Sequence, residues 1–471
     1  MKKSKRILAV MVGITFLVGL ISGCGKEEKE SGNNEEITLR FATTADMREH
    51  SVNVKNEILE EFTEKTGIKI ELEESGTSDF RTWLTTQFAA DRGPDIFQNN
   101  IYNATQDYQS GWTCNFKELY DEESKYEPGK AWKETLPEAI RERMYITEND
   151  VPGFPATTAV VRIFVNKDMV EEVGGKIPED WEEFIDLCGK LKDNGKIPFA
   201  FPNATMSDMT WLWFNNSLCN QLQSDLIEKM DVSGNGYIEA AELCKGMDEG
   251  LIDFTDPQFT YVFELMKEFS QYWTSDFNGL DGKTALELFE RGEVAMMQNL
   301  SIVLNDLEAV VGDSFEYVVM PMPAVTTDMN ANALGKSVIL GGQPDGIYCI
   351  NKKLEEDPKK YEAAVEFIQY MTSPEVLTKY AEELNSIPVS NSCELPEALE
   401  GFRIIEEPLR AAWFTGLNNE LSNFVHRAGQ EYLADEITLD EFTEGLNESY
   451  KDTVETFKTE NSWSADNNYG L

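Results

Sequence analysis

Histidine is nearly missing from this chain: among 471 residues only His50 and His426 carry an imidazole. With no H-E-x-x-H and no G-x-S-x-G stretch either, zinc and serine hydrolases have little to be built from. No C-x-x-C pair occurs among the seven cysteines, which removes the usual zinc and dithiol frameworks. Basic residues are scarce, 41 against 85 acids, for a formal net charge of −44. A surface of that sign repels phosphates, so nucleic acid is excluded as a partner. After the first two dozen residues no long apolar run returns, and no later segment reads as a membrane span. No stretch repeats with a period of roughly 20 to 50 residues, which excludes solenoids and propellers.

What is there begins at the N-terminus. Lys2, Lys3, Lys5 and Arg6 precede an apolar run from Ile7 to Ile21, followed by Ser22-Gly23-Cys24. The run is shorter than the roughly 20 residues that cross a hydrocarbon core, so residues 1–23 read as a secretory signal peptide. Ile21-Ser22-Gly23-Cys24 resembles the bacterial lipobox. That resemblance implies that Cys24 is acylated at sulfur, becomes the first residue and anchors the chain at the extracellular face of the cell membrane. An ordinary signal peptide with an incidental cysteine is the plainer alternative. Residues 24–36 have no apolar side chain beyond Cys24 to join a core and read as a solvated tether. Removing residues 1–23 takes four basic residues and no acid, leaving 37 basic residues and a net charge near −48. A soluble surface exposed to a salty exterior accounts for that charge without a special partner. The six later cysteines, Cys114, Cys188, Cys219, Cys244, Cys349 and Cys393, are irregularly spaced. A core of this size needs no covalent staples, so free buried thiols are expected.

From Ile37 onward strand and helix patterns alternate. Ile37–Ala42 reads as a strand; Val54, Ile58, Leu59 and Phe62 form one helical face; Ile68–Leu72 alternates again. A helix around Arg81–Ala90 and a short strand at Asp95–Phe97 follow, separated by Gly93-Pro94. This βαβαβ order implies a parallel sheet covered by helices. Val160–Asn166 is another strand, and Asp180 with Glu183 three residues on opens a helix through Asn194. Pro198–Phe201 is extended, Ser373-Pro374-Glu375 starts a further helix, and the last third is mostly helical. Length alone suggests two or more lobes.

The order of short motifs is informative. Gly93-Pro94-Asp95-Ile96, Tyr108-Gln109-Ser110-Gly111, Gly153-Phe154-Pro155, Val165-Asn166-Lys167-Asp168 and Trp181-Glu182-Glu183-Phe184 come in turn. Phe289-Glu290-Arg291-Gly292, Gly346-Ile347, Ala364-Val365-Glu366-Phe367 and Ser373-Pro374-Glu375 follow. Together they resemble the family 1 extracellular solute-binding proteins, the maltose-type substrate-binding lipoproteins of ABC transporters. The resemblance implies a two-lobed α/β fold of the type II periplasmic-binding-protein class, each lobe a mixed sheet flanked by helices. It also implies capture of a carbohydrate by lobe closure, delivery to ABC permease subunits, a monomer, and no catalysis. The expected division is 37–155 in lobe 1, 156–315 in lobe 2, 316–350 returning to lobe 1, and 351–471 mainly in lobe 2. The first crossing is expected near Phe154–Val160 and the second between Met322 and Gly346.

Sugars offer an apolar CH face that stacks on aromatic rings and a rim of hydroxyls that pairs with planar polar groups, so tryptophan with amides is the expected lining. Trp211 and Trp213 lie where the family offers an aromatic platform. Two residues apart on a helix they face different ways, one toward the cleft and one toward the core. Trp413 matches a later cleft position. Open α/β sheets bind ligands at strand ends, which makes Thr43, Thr44, Asn99, Asn100, Thr157 and Thr158 candidates. Local backbone capping is the alternative role for each. Gln298 and Asn299 follow the strand after Gly292, and Gly342 and Gln343 sit where backbone can approach a ligand. Many relatives carry a tryptophan just after the position of Asn299; here Leu300-Ser301-Ile302 stands instead. That departure leaves long malto-oligosaccharides and the sugar type open.

One segment belongs to a different chemistry. Asp231 through Glu242, DVSGNGYIEAAE, matches the twelve-residue EF-hand loop. Asp231, Ser233 and Asn235 supply oxygens, Gly236 permits the sharp turn, Tyr237 offers its carbonyl, Glu239 holds a water, and Glu242 closes the shell. Leu218, Leu222, Leu226 and Met230 before it, and Leu243, Met247 and Leu251 after it, give flanking apolar faces. A helix–loop–helix insertion with one structural calcium ion, remote from the sugar, is expected; a polar turn between helices is the alternative. Two other functions stay open. A binding protein for a peptide, polyamine or other cation would suit an acidic cleft, and a secreted glycoside-acting enzyme would need a carboxylate pair that abundance alone does not establish.

Overall fold

The computed structural model describes residues 37–471 apart from residues 46 and 47. The leader, Cys24 and the tether lie outside the described residues. The described residues form ten strands in two sheets. The first has the order β2-β1-β3-β9, made of β1 (Thr38–Thr44), β2 (Lys69–Ser75), β3 (Ile96–Asn99) and β9 (Ile347–Ile350). β1 is parallel to both β2 and β3, as the βαβαβ pattern requires, while β9 returns antiparallel against β3. The helix Glu49–Thr66 lays Val54, Ile58, Leu59 and Phe62 on this core and ends at Gly67, whose φ of +75° lets its N–H reach the Thr63 carbonyl.

The second sheet is organised on β4 (Thr157–Asn166), flanked in the order β10-β4-β6-β5 by β10 (Ile387–Pro388), β6 (Val294–Leu300) and β5 (Ile197–Ala200). β7 (Tyr317–Met320) and β8 (Gly341–Asp345) also pair with β4. Successive β4 side chains point to opposite faces. Ile163 and Val165 enter the large core beneath the helices, whereas Phe164 enters a smaller core with Phe289, Leu307 and Phe402. Burial on both faces explains why β4 reads as a continuous apolar run.

Helix boundaries follow the chemistry of their ends. Asp180 accepts the Glu183 N–H at 2.9 Å and opens Trp181–Asp193; Glu183 reaches back to the Glu179 N–H rather than to Asp180, so the cap is not reciprocal. Ser373 accepts the Val376 N–H, with Pro374 in the first helical turn. Thr438 and Glu441 form a reciprocal capping box at the start of Leu439–Asn461, which packs on Asn419–Leu433 with Tyr432 stacked on Phe442 at 5.4 Å.

Three strand segments run side by side between the two cores. Phe154 pairs with Tyr348 in the first core; Ala156 donates to the Asp345 carbonyl and accepts from Val389; Ile387 pairs with Thr158. Gly346 turns the second segment at φ +57°, where a Cβ would stand 2.9 Å from Thr157 Oγ1. The first two crossings lie at Phe154–Thr158 and at Asp345–Ile347. The division between lobes differs from the expected one. Residues 317–345 remain in the second sheet through β7 and β8, so the return begins only at β9. The helices Pro358–Met371 and Pro374–Leu384 pack on the first core; a third crossing at 387–389 runs from Ile387, beside Thr158, to Val389 in the first core, and the chain rejoins the second sheet's smaller core at Leu399 and Phe402. Apolar stripes on those helices fix a buried face without saying which sheet it covers, so a single C-terminal block could not be divided by pattern.

All six cysteines of the described residues are free, five of them buried and Cys393 partly so. Among the described residues no helix is long and apolar enough to cross a membrane.

Candidate functional site

A cavity of about 1100 Å³ opens between elements of the two cores. On the first core's side stands the segment after the short helix Glu138–Glu142, held in place by buried Ile140 and Met144. On the other side stand the loop from Gly234 to Glu239 and the stretch Leu409–Ala412, with Gln343 and Pro344 of β8 between them. Ile238 holds the loop against the larger core and pairs with Ala411 as an isolated parallel bridge.

Charge around this cavity is mixed, with Glu134, Glu142, Glu148 and Glu239 among its lining residues. Lys117, Lys133, Arg141, Arg143 and Arg410 all line it. Lys133 and Lys117 both grip Asp121 and hold its carboxyl below the usual range, Lys133 contributing more. Arg141 pairs with Glu142, and Arg410 pairs with Asp231 at 3.0 Å while donating to the Gly236 carbonyl. Arg143 makes no ion pair among the described residues. Its Nε donates to the Tyr237 hydroxyl, its Nη1 donates to the Gly342 carbonyl at 3.2 Å, and its guanidinium lies 4.8 Å from the centre of the Tyr237 ring. Tyr145 is the second aromatic at the rim, set edge-on to buried Tyr120.

The structure distributes the sequence candidates unevenly. Gln343 is exposed and lines the cavity. Gly342 takes part through its carbonyl, which Arg143 holds. Trp213 is partly exposed, whereas Trp211 is buried against Phe442 and Gly429; neither lines the cavity. Trp413 is fully buried, edge-on to Phe259, and belongs to the core rather than to a cleft wall. Its neighbours Arg410 and Ala412 face the cavity instead. Thr43 donates to Gln98 at 2.7 Å, Thr44 is exposed at the end of β1, and Asn99 donates to Asp107, which Arg81 also grips. Asn100 caps the helix Ile101–Gln109, and Thr158 donates to the Gln343 carbonyl beside partly exposed Thr157. Gln298 is buried with its Oε1 unpartnered, and Asn299 accepts the Leu300 N–H. Backbone satisfaction thus occupies Asn100 and Asn299, the alternative role weighed for such residues. Ile302, in the place of the absent tryptophan, is 65% exposed.

The residues that sequence reasoning passed over are Arg141, Arg143, Tyr145 and Arg410. The run Arg-Glu-Arg-Met-Tyr at 141–145 carried a signal, cations and an aromatic close before the first crossing.

The loop from Asp231 to Glu242 sits between the helices Ser224–Met230 and Ala240–Asp248. The entering apolar face is interrupted, because the helix carrying Leu218 and Leu222 ends at Gln223 before the next begins. Gly236 has φ +85° and donates its N–H to Asp231 Oδ2 at 3.0 Å, leaving Oδ1 on the side of Ser233 Oγ, 3.5 Å away. Buried Glu242 accepts the N–H groups of Val232, Ser233 and Glu239 at 2.8–2.9 Å. Among the described residues no three His, Cys, Asp or Glu side chains converge as a metal cluster; backbone N–H groups and Arg410 hold these carboxylates. The oxygen set and the glycine fit a hard cation, with Glu242 having to turn from N–H donors to an ion. Asn235, Tyr237 and Glu239 of this loop line the cavity.

Comparison with known proteins fits this architecture. The chain matches the model of a bacterial extracellular solute-binding protein family over residues 57–402. A multiple sugar-binding protein of Streptococcus mutans is 28% identical over 205 residues, 42% of this chain and under half of that protein, 44%. The melibiose/raffinose/stachyose-binding protein MelE of Bacillus subtilis is 19% identical over 97% of this chain and 98% of its own. The structure of apo RafE from Streptococcus pneumoniae superposes with a TM-score of 0.65 at 18% identity, covering 90% of this chain and 99% of that one. Likeness at that identity speaks for the fold alone. Because the family match runs through both cores and all three crossings, the chain belongs to the bacterial extracellular solute-binding proteins.

Proposed function

We propose that the chain is the capture component of an ABC importer, binding an oligosaccharide outside the cell, closing its lobes on it and presenting it to a membrane permease. The observation that carries this reading is the cavity between the two cores, bridged by three strands and rimmed by Tyr145, Tyr237 and Gln343. Rings for CH faces and planar polar groups for hydroxyls are what a sugar needs. The sugar-binding relatives support the same class, and a family of binding proteins supports a chain that performs no chemistry. A lipid on Cys24 would hold it at the membrane through the 24–36 tether. One calcium ion in the loop would be held by Asp231, Ser233, Asn235, the Tyr237 carbonyl, a water on Glu239, and Glu242, supplying local rigidity.

The polyamine alternative keeps some footing, because Glu134, Glu142, Glu148 and Glu239 line the cavity beside its five basic side chains. Isothermal titration against raffinose, stachyose, maltodextrins, peptides and polyamines tests the reading. Saturable heat is expected with an oligosaccharide, weakened at least tenfold by Tyr145→Ala or Tyr237→Ala as buried aromatic anchors are. Saturable binding of an amine or peptide, with none of any sugar, would overturn it.

A further inference from the structure

The Asp231–Glu242 loop belongs to the second core through Ile238 and Ala241, and Arg143 belongs to the first through its neighbours Ile140 and Met144. The bond from Arg143 to the Tyr237 hydroxyl, with the guanidinium against the ring, therefore spans the cavity from one lobe to the other. The same guanidinium holds the Gly342 carbonyl of β8, next to the crossing segments. Tyr237 is fixed from behind as well: its N–H is held by Asn235 Oδ1, and the preceding Gly236 carbonyl by Arg410, which also grips Asp231. Asp231, Asn235 and the Tyr237 backbone are thus joined in one short hydrogen-bonded stretch that carries the ring.

We propose that the Arg143–Tyr237 contact is a latch between the lobes and that calcium in the loop sets it, so that ion occupancy, closure and ligand capture form one linked equilibrium. This inference rests on the calcium reading of the loop. Tyr237 has two ends with different tasks. The EF-hand pattern assigns its backbone carbonyl to the ion, while its side chain lies against Arg143 at the cavity, so an ion that orders the backbone orders the ring. An ion that favours the latched geometry favours the closed form, and by reciprocity a ligand that closes the lobes tightens ion binding by the same factor. The insertion is then part of the cleft wall, and the expectation of a passive stiffener gives way to a regulator of capture.

The test uses energy transfer between dyes at Glu60→Cys and Glu444→Cys, exposed positions on the two lobes, in the chain carrying Cys24→Ser and Cys393→Ser. The other five thiols are buried. Calcium alone, against chelator, is the probe, and ion binding is measured separately by calorimetry. The wild-type background should shift to shorter distances on adding calcium. Tyr237→Phe, which keeps ring and carbonyl but loses the hydroxyl, and Arg143→Ala should still bind calcium, more weakly by the coupling factor, and lose most of the shift. Calcium that binds without moving the distance distribution overturns the linkage while the calcium reading stands. An equal shift in the two variants overturns the latch. No calcium binding in any sample overturns the calcium reading and the linkage with it. In that case opening of the ion-free protein by both variants would still support the latch, and unchanged distances would overturn it too.

Discussion

Arg162 on β4 and Glu406, in the segment that follows Glu397–Phe402, form an ion pair with side chains only 2% and 1% exposed. Nη1 stands 2.7 Å from Oε1, off the hydrogen-bonding angle, while Nη2 donates to Oε2 at 3.2 Å. The first contact is Coulombic and the second a hydrogen bond. Arg162 also donates to the carbonyls of Gly401 and Arg403, tying the C-terminal segment to the central strand. Removing one partner leaves a buried charge without compensation. Arg162→Met should therefore cost about 3–5 kcal/mol in urea unfolding, and the double variant Arg162→Met with Glu406→Gln should recover a large part. A single-variant loss below about 1 kcal/mol, the range of exposed pairs, would show that the pair is solvated.

Asp345 ends β8 at the crossing between lobes. Burial pushes its carboxyl above the usual aspartate range, and the Gly346 N–H pulls it only part of the way back. A raised folded-state value favours the protonated form. The stability contributed is full below the unfolded value of about 3.9 and is lost as pH rises through the folded value. Asp345→Asn keeps an acceptor for Gly346 and carries no charge. Its melting temperature should exceed that of wild type at neutral pH, and the gap should close on acidification toward pH ~4. A gap that is constant across this range would deny the burial cost.

The proposed anchor at Cys24 predicts a difference in partition. Wild-type chain should enter the detergent phase of a phase separation, and Cys24→Ala should stay in the aqueous phase. Equal partition of the two would remove the lipid.

Calcium in the loop predicts a linked gain in stability. At free calcium a hundred times the dissociation constant, the gain is about 2.7 kcal/mol. Thermal unfolding should shift upward with calcium against chelator in wild type. In Glu242→Gln the shift should vanish, since an amide cannot close the shell with two anionic oxygens. The variant also loses one acceptor for the Val232, Ser233 and Glu239 N–H groups, so its chelator baseline should lie lower as well. Identical melting temperatures with and without calcium in wild type would sink the proposal.

Much of the fold was legible in the sequence because it rests on local chemistry. The stripe Val54, Ile58, Leu59, Phe62 and the caps at Asp180 and Ser373 each name a helix face or a helix start by spacing alone. The order of β1, β2 and β3 follows from the handedness and length of their connections. The twelve-residue loop is equally local, since its oxygens and its glycine lie within one turn of chain.

Tertiary structure decided what depends on which surfaces meet. An apolar stripe does not say which sheet it covers, so the return of Pro358–Leu384 to the first core, and the third crossing at 387–389, had no signature in pattern. The fates of Trp211, Trp213 and Trp413 turned on the same question, because a tryptophan has equal apolar area for a core or a sugar. The cleft wall was the least accessible of all. Arg143 and Tyr237 lie far apart in the chain and carry no shared motif, yet folding brings a guanidinium to a phenol across the cavity. Contact between residues so distant in sequence is set by the packing of two cores, and local sequence chemistry holds no record of it.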